Sequence, residues 1–336
     1  MHEARRASGL ALTCLSVLGV AGDAVMTRLM ELQGATSLAT LGAKATITGT
    51  LTLLAATWLD GGTHAVITGL MSAPWHALAA AILQGAVQAG FTLSFLLTDP
   101  ARALLMTNLN PLWAALAGKV FLGDILPGRT VGALALAFLS VGVIFIPDIF
   151  AAPAAKVTSA STLPGDFCAL ATGVSLAGYL TVIRHAALRR PEAKLTACAG
   201  LGALGTGGIA LAVVTARTPN VLASLPPPFW AIAVLDGAGI SSSVVFMNLA
   251  LLRITGTEVA LIFLSQVPIA PFLAYLVLGL VPSSWTVGGG SALLAVLALH
   301  EVLGMAASSS HHVAPDVPLP SRAYLAKVRA GDPLLL

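Results

Sequence analysis

Long apolar runs alternate with short polar segments along most of this chain, and each run is close to the ~20 residues that a helix needs to cross a bilayer. Few charged residues interrupt these runs, so the pattern predicts an all-α integral membrane protein with ten transmembrane helices. The predicted spans are 7–28, 36–58, 74–98, 100–122, 128–147, 165–188, 194–215, 228–252, 256–280 and 283–305.

An internal duplication organises these spans. The fourth and fifth spans recur in weaker form as the ninth and tenth, because Asn110 aligns with Gln266 at an offset of 156 and Pro111 with Pro268 at an offset of 157. A polar amide before a proline therefore occupies the same place in each half. Since five spans is an odd number, the second copy enters the membrane from the opposite side, which predicts two inverted five-helix repeats.

The duplication also sets the domain boundaries. We expect a first repeat over 7–147, a linker over 148–164 and a second repeat over 165–305. The tail, 306–336, is rich in serine and proline and is predicted to be disordered. A secretory signal peptide also has a basic start and an apolar centre, but removing residues 1–26 would break the symmetry of the halves.

Composition agrees with a lipid environment. Hydrophobic residues make up 57% of the chain and charged residues 9%, with a mean hydropathy of +0.91, whereas a soluble domain has about 25% charged residues. The net charge of +3 is spread without a basic stripe, so no nucleic-acid partner is expected. The expected partners are a small-molecule solute and the lipid bilayer, with a homodimer left open and no cofactor.

The distribution of Lys and Arg between the loops predicts the orientation. With both termini cytoplasmic, twelve of the 17 basic residues fall in inside segments and four in outside segments. We therefore expect a multi-pass protein with cytoplasmic termini and tail, in the plasma membrane.

Three ionisable residues lie far from a predicted helix end, where each is costly unless paired or hydrated. Asp23 and Lys44 lie at similar depth on consecutive spans and are expected to form an ion pair, which either belongs to a site or only fixes helix packing. Asp236 lies near the midplane with no obvious cation nearby. It either binds a cationic group or a proton, or is a protonated side chain bonded to a neighbour such as Ser241.

Five amides complete the candidate site: Gln84, Gln88, Asn108, Asn110 and Gln266. Amides offer several neutral hydrogen bonds, so together they are suited to line a cavity for a small polar solute. Hydrogen bonding between helices is the alternative for each residue taken alone. No hydrolase, metalloprotease or phosphate-loop signature occurs, so we expect no enzyme, no catalytic residue and no metal site.

The elbow between the fourth and fifth spans carries a resemblance to a known family. The residues that carry it are Pro111-Leu112-Trp113, Phe121-Leu122-Gly123-Asp124, Gly132 and Gly142-Val143. They resemble the EamA-type repeat of the drug/metabolite transporter superfamily, in which a proline-containing helix, a Phe-Leu-Gly-Glu-like turn and a glycine-bearing helix follow one another. Here the turn has Asp124 in place of glutamate, and the second copy has Leu280.

The resemblance implies a secondary carrier that works by alternating access, with a central solute site between two rocking halves. From the polar residues we expect a small polar metabolite, with an amino acid or amine as candidate classes, oriented by Asn110 and Gln266 and bound or proton-coupled at Asp236. Sugar-phosphate members of that superfamily carry a Lys/Arg pair in the ninth helix, and 257–280 contains neither residue. A non-transporting membrane scaffold and a nucleotide-sugar-type exchanger are the alternatives.

Overall fold

The computed structural model describes residues 2–122, 128–150, 163–190, 193–251, 253–254, 259, 262–263 and 265–310. Within these ranges the chain is all α-helix and turn, without a strand. The helices are α1 (His2–Ala21), α2 (Asp23–Leu32), α3 (Ser37–Leu59), α4 (Thr63–Ser72), α5 (Pro74–Leu97), α6 (Pro100–Thr107), α7 (Asn110–Ala117), α8 (Gly128–Phe150), α9 (Leu163–Arg189), α10 (Ala197–Arg217), α11 (Val221–Ser224), α12 (Pro227–Leu251), α13 (Gln266–Leu278) and α14 (Ser284–Ser310). A π-helical turn, Gly118–Leu122, follows α7.

Local sequence explains where several helices begin and end. Thr36 caps α3 by accepting a hydrogen bond from the backbone N–H of Ala39 at 3.2 Å. Asp99 caps α6 in the same way, through the N–H of Arg102 at 3.1 Å, and Pro100 occupies the first turn, where its missing N–H costs little. Gly279 ends α13 in the left-handed conformation, with φ of 68°.

Two predicted spans are broken helices. The first is interrupted at Gly22, so that α2 begins with Asp23 instead of continuing α1. The fourth is interrupted at Asn108 and Leu109, since Pro111 has no N–H with which to continue the ladder of α6. Both breaks place polar side chains beside unwound backbone.

Two predictions about loops are wrong in part. The segment predicted to connect the second and third spans contains α4, and the predicted tail begins with five residues that continue α14 to Ser310. The elbow residues 123–127, the linker residues 151–162 and the tail residues 311–336 lie outside the described residues.

Six helical segments of the described chain are long and apolar enough to cross a membrane: Ala7–Leu32, Ser37–Leu59, Pro74–Leu97, Leu163–Ala186, Ala197–Arg217 and Pro227–Ala250. Large apolar side chains cover the outside of the molecule. Trp58 is 83% exposed, Trp75 80% and Leu18 67%. An exterior of this kind suits a lipid solvent. Division into ten spans and two repeats stays a prediction.

Helices far apart in the sequence make the most extensive contacts. The main pairs are α3 with α10, α5 with α9, α1 with α12, α8 with α14, α5 with α10 and α3 with α12. Small residues allow this close approach, and the glycines of α10 are examples. A Cβ on Gly202 would lie 2.3 Å from the carbonyl oxygen of Ala81 on α5, and one on Gly207 would lie 2.6 Å from the backbone nitrogen of Thr46 on α3.

Candidate functional site

A cavity of about 460 Å³ lies among α2, α5, α9, α12 and the break between α6 and α7. This volume is within the ordinary range of small-molecule sites. Six of the eight sequence-predicted site residues line it: Asp23, Gln84, Gln88, Asn108, Asn110 and Gln266. Lys44 and Asp236 do not line it and lie behind Asp23.

The two helix breaks bring these polar groups to the wall. Asp23 is the first residue of α2, and Asn108 and Asn110 flank the turn between α6 and α7. The amide nitrogen of Asn108 donates to the carbonyl oxygen of Leu104 at 2.8 Å, which satisfies a backbone group near the break. Gln266 begins α13. Polar side chains thus occur where the backbone is irregular and faces a space rather than lipid.

A buried cluster of three charges adjoins the cavity. Lys44 is fully buried and forms the predicted ion pair with Asp23 Oδ1. Its Nζ also donates to Thr27 Oγ1 at 2.8 Å and lies 3.3 Å from Asp236 Oδ2. The expectation that Asp236 has no nearby cation is therefore wrong. Sequence spacing could not show this pair, because 192 positions separate its members and only tertiary packing of α3 on α12 joins them.

Two buried oxygen atoms at the cavity wall have no hydrogen-bond partner among the residues that the structure describes. They are Asp23 Oδ2 and Gln84 Oε1. Buried polar atoms are nearly always satisfied in folded proteins. Both atoms belong to residues of the cavity wall, so a side-chain rotation would present them to a donor that enters the cavity.

Apolar and aromatic side chains form most of the remaining wall, and sequence reasoning missed them. They include Phe91, Leu176, Tyr179, Val244, Met247 and Phe263. In a membrane helix an apolar residue is equally suited to lipid, to a neighbouring helix or to a cavity. The hydropathy pattern therefore contains no signal that separates these surfaces.

Charged side chains close one end of the helix bundle, beyond the cavity. Arg102 Nη2 and Asp166 Oδ2 form a buried ion pair at 2.7 Å, and Thr98 Oγ1 donates to Asp166 Oδ1 at 2.8 Å. Arg28 donates to the carbonyl oxygens of Leu96 at 3.0 Å and Thr98 at 3.1 Å. We call this group the charged end. None of its side chains lines the cavity, and sequence reasoning placed these residues at or near the ends of predicted spans without pairing them.

The cavity lining extends toward the opposite end of the molecule. It includes Arg184, which is exposed near the end of α9, and Ala199 at the start of α10. At this end His76 Nε2 and His185 Nδ1 lie 3.0 Å apart, and Lys194 Nζ donates to the carbonyl oxygen of Asp60 at 3.2 Å. We call this the histidine end.

Metal ligation finds no support in the part of the chain that the structure describes, where no group of three His, Cys, Asp or Glu side chains converges. The cavity wall instead combines carboxylate, amide and hydroxyl groups with a large apolar surface. Such a wall can bind an organic solute through a few directed hydrogen bonds.

Comparison with known proteins supports the fold and does not indicate an activity. No protein-family model matches the chain, and no curated protein matches it. A solved crystal structure, described only as that of a protein, is similar over 90% of this chain and 99% of its own, with a TM-score of 0.56 and 18% identity. A likeness at this identity shows the fold alone: most of the chain adopts an architecture that also occurs in a solved protein.

Proposed function

We propose that this protein is a secondary transporter that moves a small polar metabolite by alternating access, with amino acids and amines as the candidate classes. The observation that carries the proposal is the cavity, because it collects six of the eight predicted site residues, which are scattered through the sequence. A scaffold has no need of such a space. A phosphate-bearing solute such as a nucleotide sugar suits the wall less well, since Arg184 is the only cationic side chain among the described lining residues.

Helix packing supports the hypothesis of two inverted halves. An inverted repeat exchanges each span of one half with the span five places along in the other half. Under this exchange, the contact of α1 with α12 (first and eighth spans) corresponds to the contact of α9 with α5 (sixth and third spans). Likewise, the contact of α5 with α10 corresponds to that of α12 with α3, while α3–α10 and α8–α14 each correspond to themselves. A two-fold axis in the membrane plane would produce this pattern. The resemblance to EamA-type repeats agrees with it.

The positions of the helix ends support alternation across a membrane. At the charged end α5 ends, α6 begins and α9 begins, as contacts among Thr98, Arg102 and Asp166 require. At the histidine end α3 ends, α5 begins and α9 ends. With the predicted cytoplasmic termini, the charged end faces outward and the histidine end faces the cytoplasm.

The proposed mechanism follows from this asymmetry. The cavity leads toward the histidine end, and the ion pair of Arg102 with Asp166 joins the two proposed halves at the charged end. Solute enters from the histidine end and is oriented by Asn110 and Gln266 from opposite halves. Rocking of the halves then separates the charged end and closes the other, which exposes the same cavity to the opposite side. Asp236 acts on the cavity through Lys44.

Metabolite profiling with a blocked cavity tests the proposal. Val244→Trp fills the cavity, whereas Val234→Trp, on the same helix, adds the same group at a position that is 53% exposed. We expect overproduction of the unaltered protein and of Val234→Trp to shift the cellular level of the same solute, and Val244→Trp to shift none. If a correctly folded Val244→Trp variant gives the unaltered profile, the cavity is not the transport route.

A further inference from the structure

We propose that Asp23 is the binding residue for the protonated nitrogen of an amphiphilic amine, and that this amine and a proton compete for one negative charge in the buried cluster. The inference rests on the proposed function, because it assigns a substrate class and a coupling ion to the same cavity. It is carried by the contacts, burial and charge count of Asp23, Lys44 and Asp236.

The first step is the charge of the cluster. Two carboxylates, Asp23 and Asp236, share the single ammonium group of Lys44, and all three side chains are at most 2% exposed. If each is ionised, the cluster has a net charge of −1 in a region where an uncompensated charge is strongly disfavoured. A bound proton or a bound cation removes that excess charge.

Neighbouring elements offer no other counter-charge among the described residues. The helices packed on α2 include α3, which contributes Lys44, and α12, which contributes Asp236. The cavity-lining groups of α5 and α13 at this level are the neutral amides of Gln84, Gln88 and Gln266. On α2 itself, Arg28 is paired with Glu31 at 2.9 Å and does not reach the cluster.

The second step is access. Asp23 Oδ1 accepts hydrogen bonds from Lys44 and, at 3.1 Å, from Thr27. Asp23 Oδ2 is buried without a partner, and Asp23 is the only member of the cluster on the cavity wall within the described chain. Because Asp23 lies on the cavity wall, a rotation of its side chain would uncover Oδ2, to which an ammonium group in the cavity could then donate a charge-assisted hydrogen bond. The unpartnered Oε1 of Gln84 offers a second acceptor on the same wall.

The third step concerns the body of the ligand. Besides its polar groups, the wall includes the apolar side chains of Phe91, Leu176, Val244, Met247 and Phe263. Such a surface favours an apolar or aromatic group, because its contact with these side chains removes apolar area from water. The complementary ligand has one cationic nitrogen attached to an apolar body.

The exchange balances charge in each state. Without ligand, one proton bound within the cluster neutralises the excess charge. When the ammonium group binds, the proton leaves through the cavity to water, so one cation enters as one proton departs. Amine binding must then weaken as the pH falls, because a higher proton concentration favours the protonated cluster.

Calorimetry with 2-phenylethylamine tests this exchange in the purified full-length protein in detergent. The amine is protonated at neutral pH, and 2-phenylethanol is a neutral probe of nearly the same shape. Titrations in two buffers of different ionisation enthalpy give the number of protons released. We expect the amine to bind at least about tenfold more tightly than the alcohol, with net proton release and with weaker binding at lower pH.

Two variants make the test specific. Asp23→Asn leaves Lys44 paired with Asp236 in a neutral cluster, so we expect it to fold, to bind the two probes about equally and to release no proton. Glu31→Gln removes the same charge from the same helix at a side chain that is 38% exposed, and it should behave like the unaltered protein.

Equal binding of the amine and the alcohol by the unaltered protein would overturn the inference. So would proton release that persists in Asp23→Asn. Neither result bears on the carrier proposal, because binding in detergent does not require transport. The comparison of Val244→Trp with Val234→Trp tests that proposal without reference to charge.

Discussion

Lys44 shows why the residue scale matters in this protein. A lysine in the hydrocarbon region is costly unless its charge is compensated, and here Asp23, Asp236 and Thr27 surround its Nζ. Lys44 is fully buried among helices that meet at the cavity. Its compensation depends on tertiary structure, so loss of the Lys44 charge, which leaves both carboxylates without a cation, should affect folding as well as binding.

Replacement of Lys44 by Met should destabilise the protein by about 3–5 kcal/mol, the usual cost of breaking a buried ion pair. The substitution leaves two carboxylates facing each other without a cation. Thermal unfolding of the purified protein in detergent, followed by tryptophan fluorescence, measures the loss. Lys119→Met, at an exposed lysine, is the matched control and should change stability little.

The triple variant Lys44→Met, Asp23→Asn, Asp236→Asn should regain most of the lost stability, since it leaves no charge in the cluster of these three residues. If the triple variant is as unstable as Lys44→Met alone, Lys44 stabilises the protein by packing and not by charge.

Site residues could be predicted in part from their type alone. A polar residue inside a membrane span is rare enough to be conspicuous, so the amides and Asp23 were recognisable without coordinates. The partner of Asp236 was not, because the residue that faces it is remote in sequence. The apolar wall of the cavity and the ion pair of Arg102 with Asp166 were missed for related reasons: apolar residues suit every membrane surface, and charges near span ends are ordinary.

At the scale of elements, hydropathy and capping predict most helix bounds within a few residues. The second span was predicted as 36–58, and α3 runs over Ser37–Leu59, because Thr36 provides a cap. Sequence reasoning failed where a helix is interrupted inside an apolar run. The break between α6 and α7 depends on local loss of backbone hydrogen bonds near Pro111, which an average over about 20 residues hides.

Close packing of α10 on α3 gives a sharp test at this scale. Gly207→Ala places a Cβ 2.4 Å from Thr46 Oγ1 and 2.6 Å from Thr46 N, so α10 must move away from α3. We expect a loss of about 1–3 kcal/mol in thermal unfolding. The neighbouring Gly208 is exposed and has no atom within 4 Å of an added Cβ, so Gly208→Ala should be neutral or stabilising by up to about 1 kcal/mol.

Equal effects of the two substitutions would show that α10 does not approach α3 as closely as the structure places it. A loss confined to Gly207→Ala would support close packing as the reason for the glycines in this helix.

At the scale of the whole molecule, the account depends on one cavity with two alternative openings. In the described structure the cavity leads toward the histidine end, while the ion pair of Arg102 with Asp166 holds the charged end together. Sequence symmetry and the exchange pattern of helix contacts both favour an inverted arrangement, and such an arrangement can close at either end with similar packing. Alternating access therefore predicts that the same wall residue meets water on both sides of the membrane.

Thiol labelling of a cysteine at the cavity wall tests this claim most directly. Val87 lines the cavity, and Ile82 on the same helix is 63% exposed on the apolar exterior. Each is replaced by cysteine in a protein whose native Cys14, Cys168 and Cys198 are replaced by alanine. In oriented vesicles, a membrane-impermeant maleimide should label Val87→Cys from each side of the membrane. Labelling from the charged end should be faster when Asp166→Asn weakens the ion pair with Arg102. The same reagent should label Ile82→Cys from neither side. Labelling of Val87→Cys from one side only, unchanged by Asp166→Asn, would contradict alternating access.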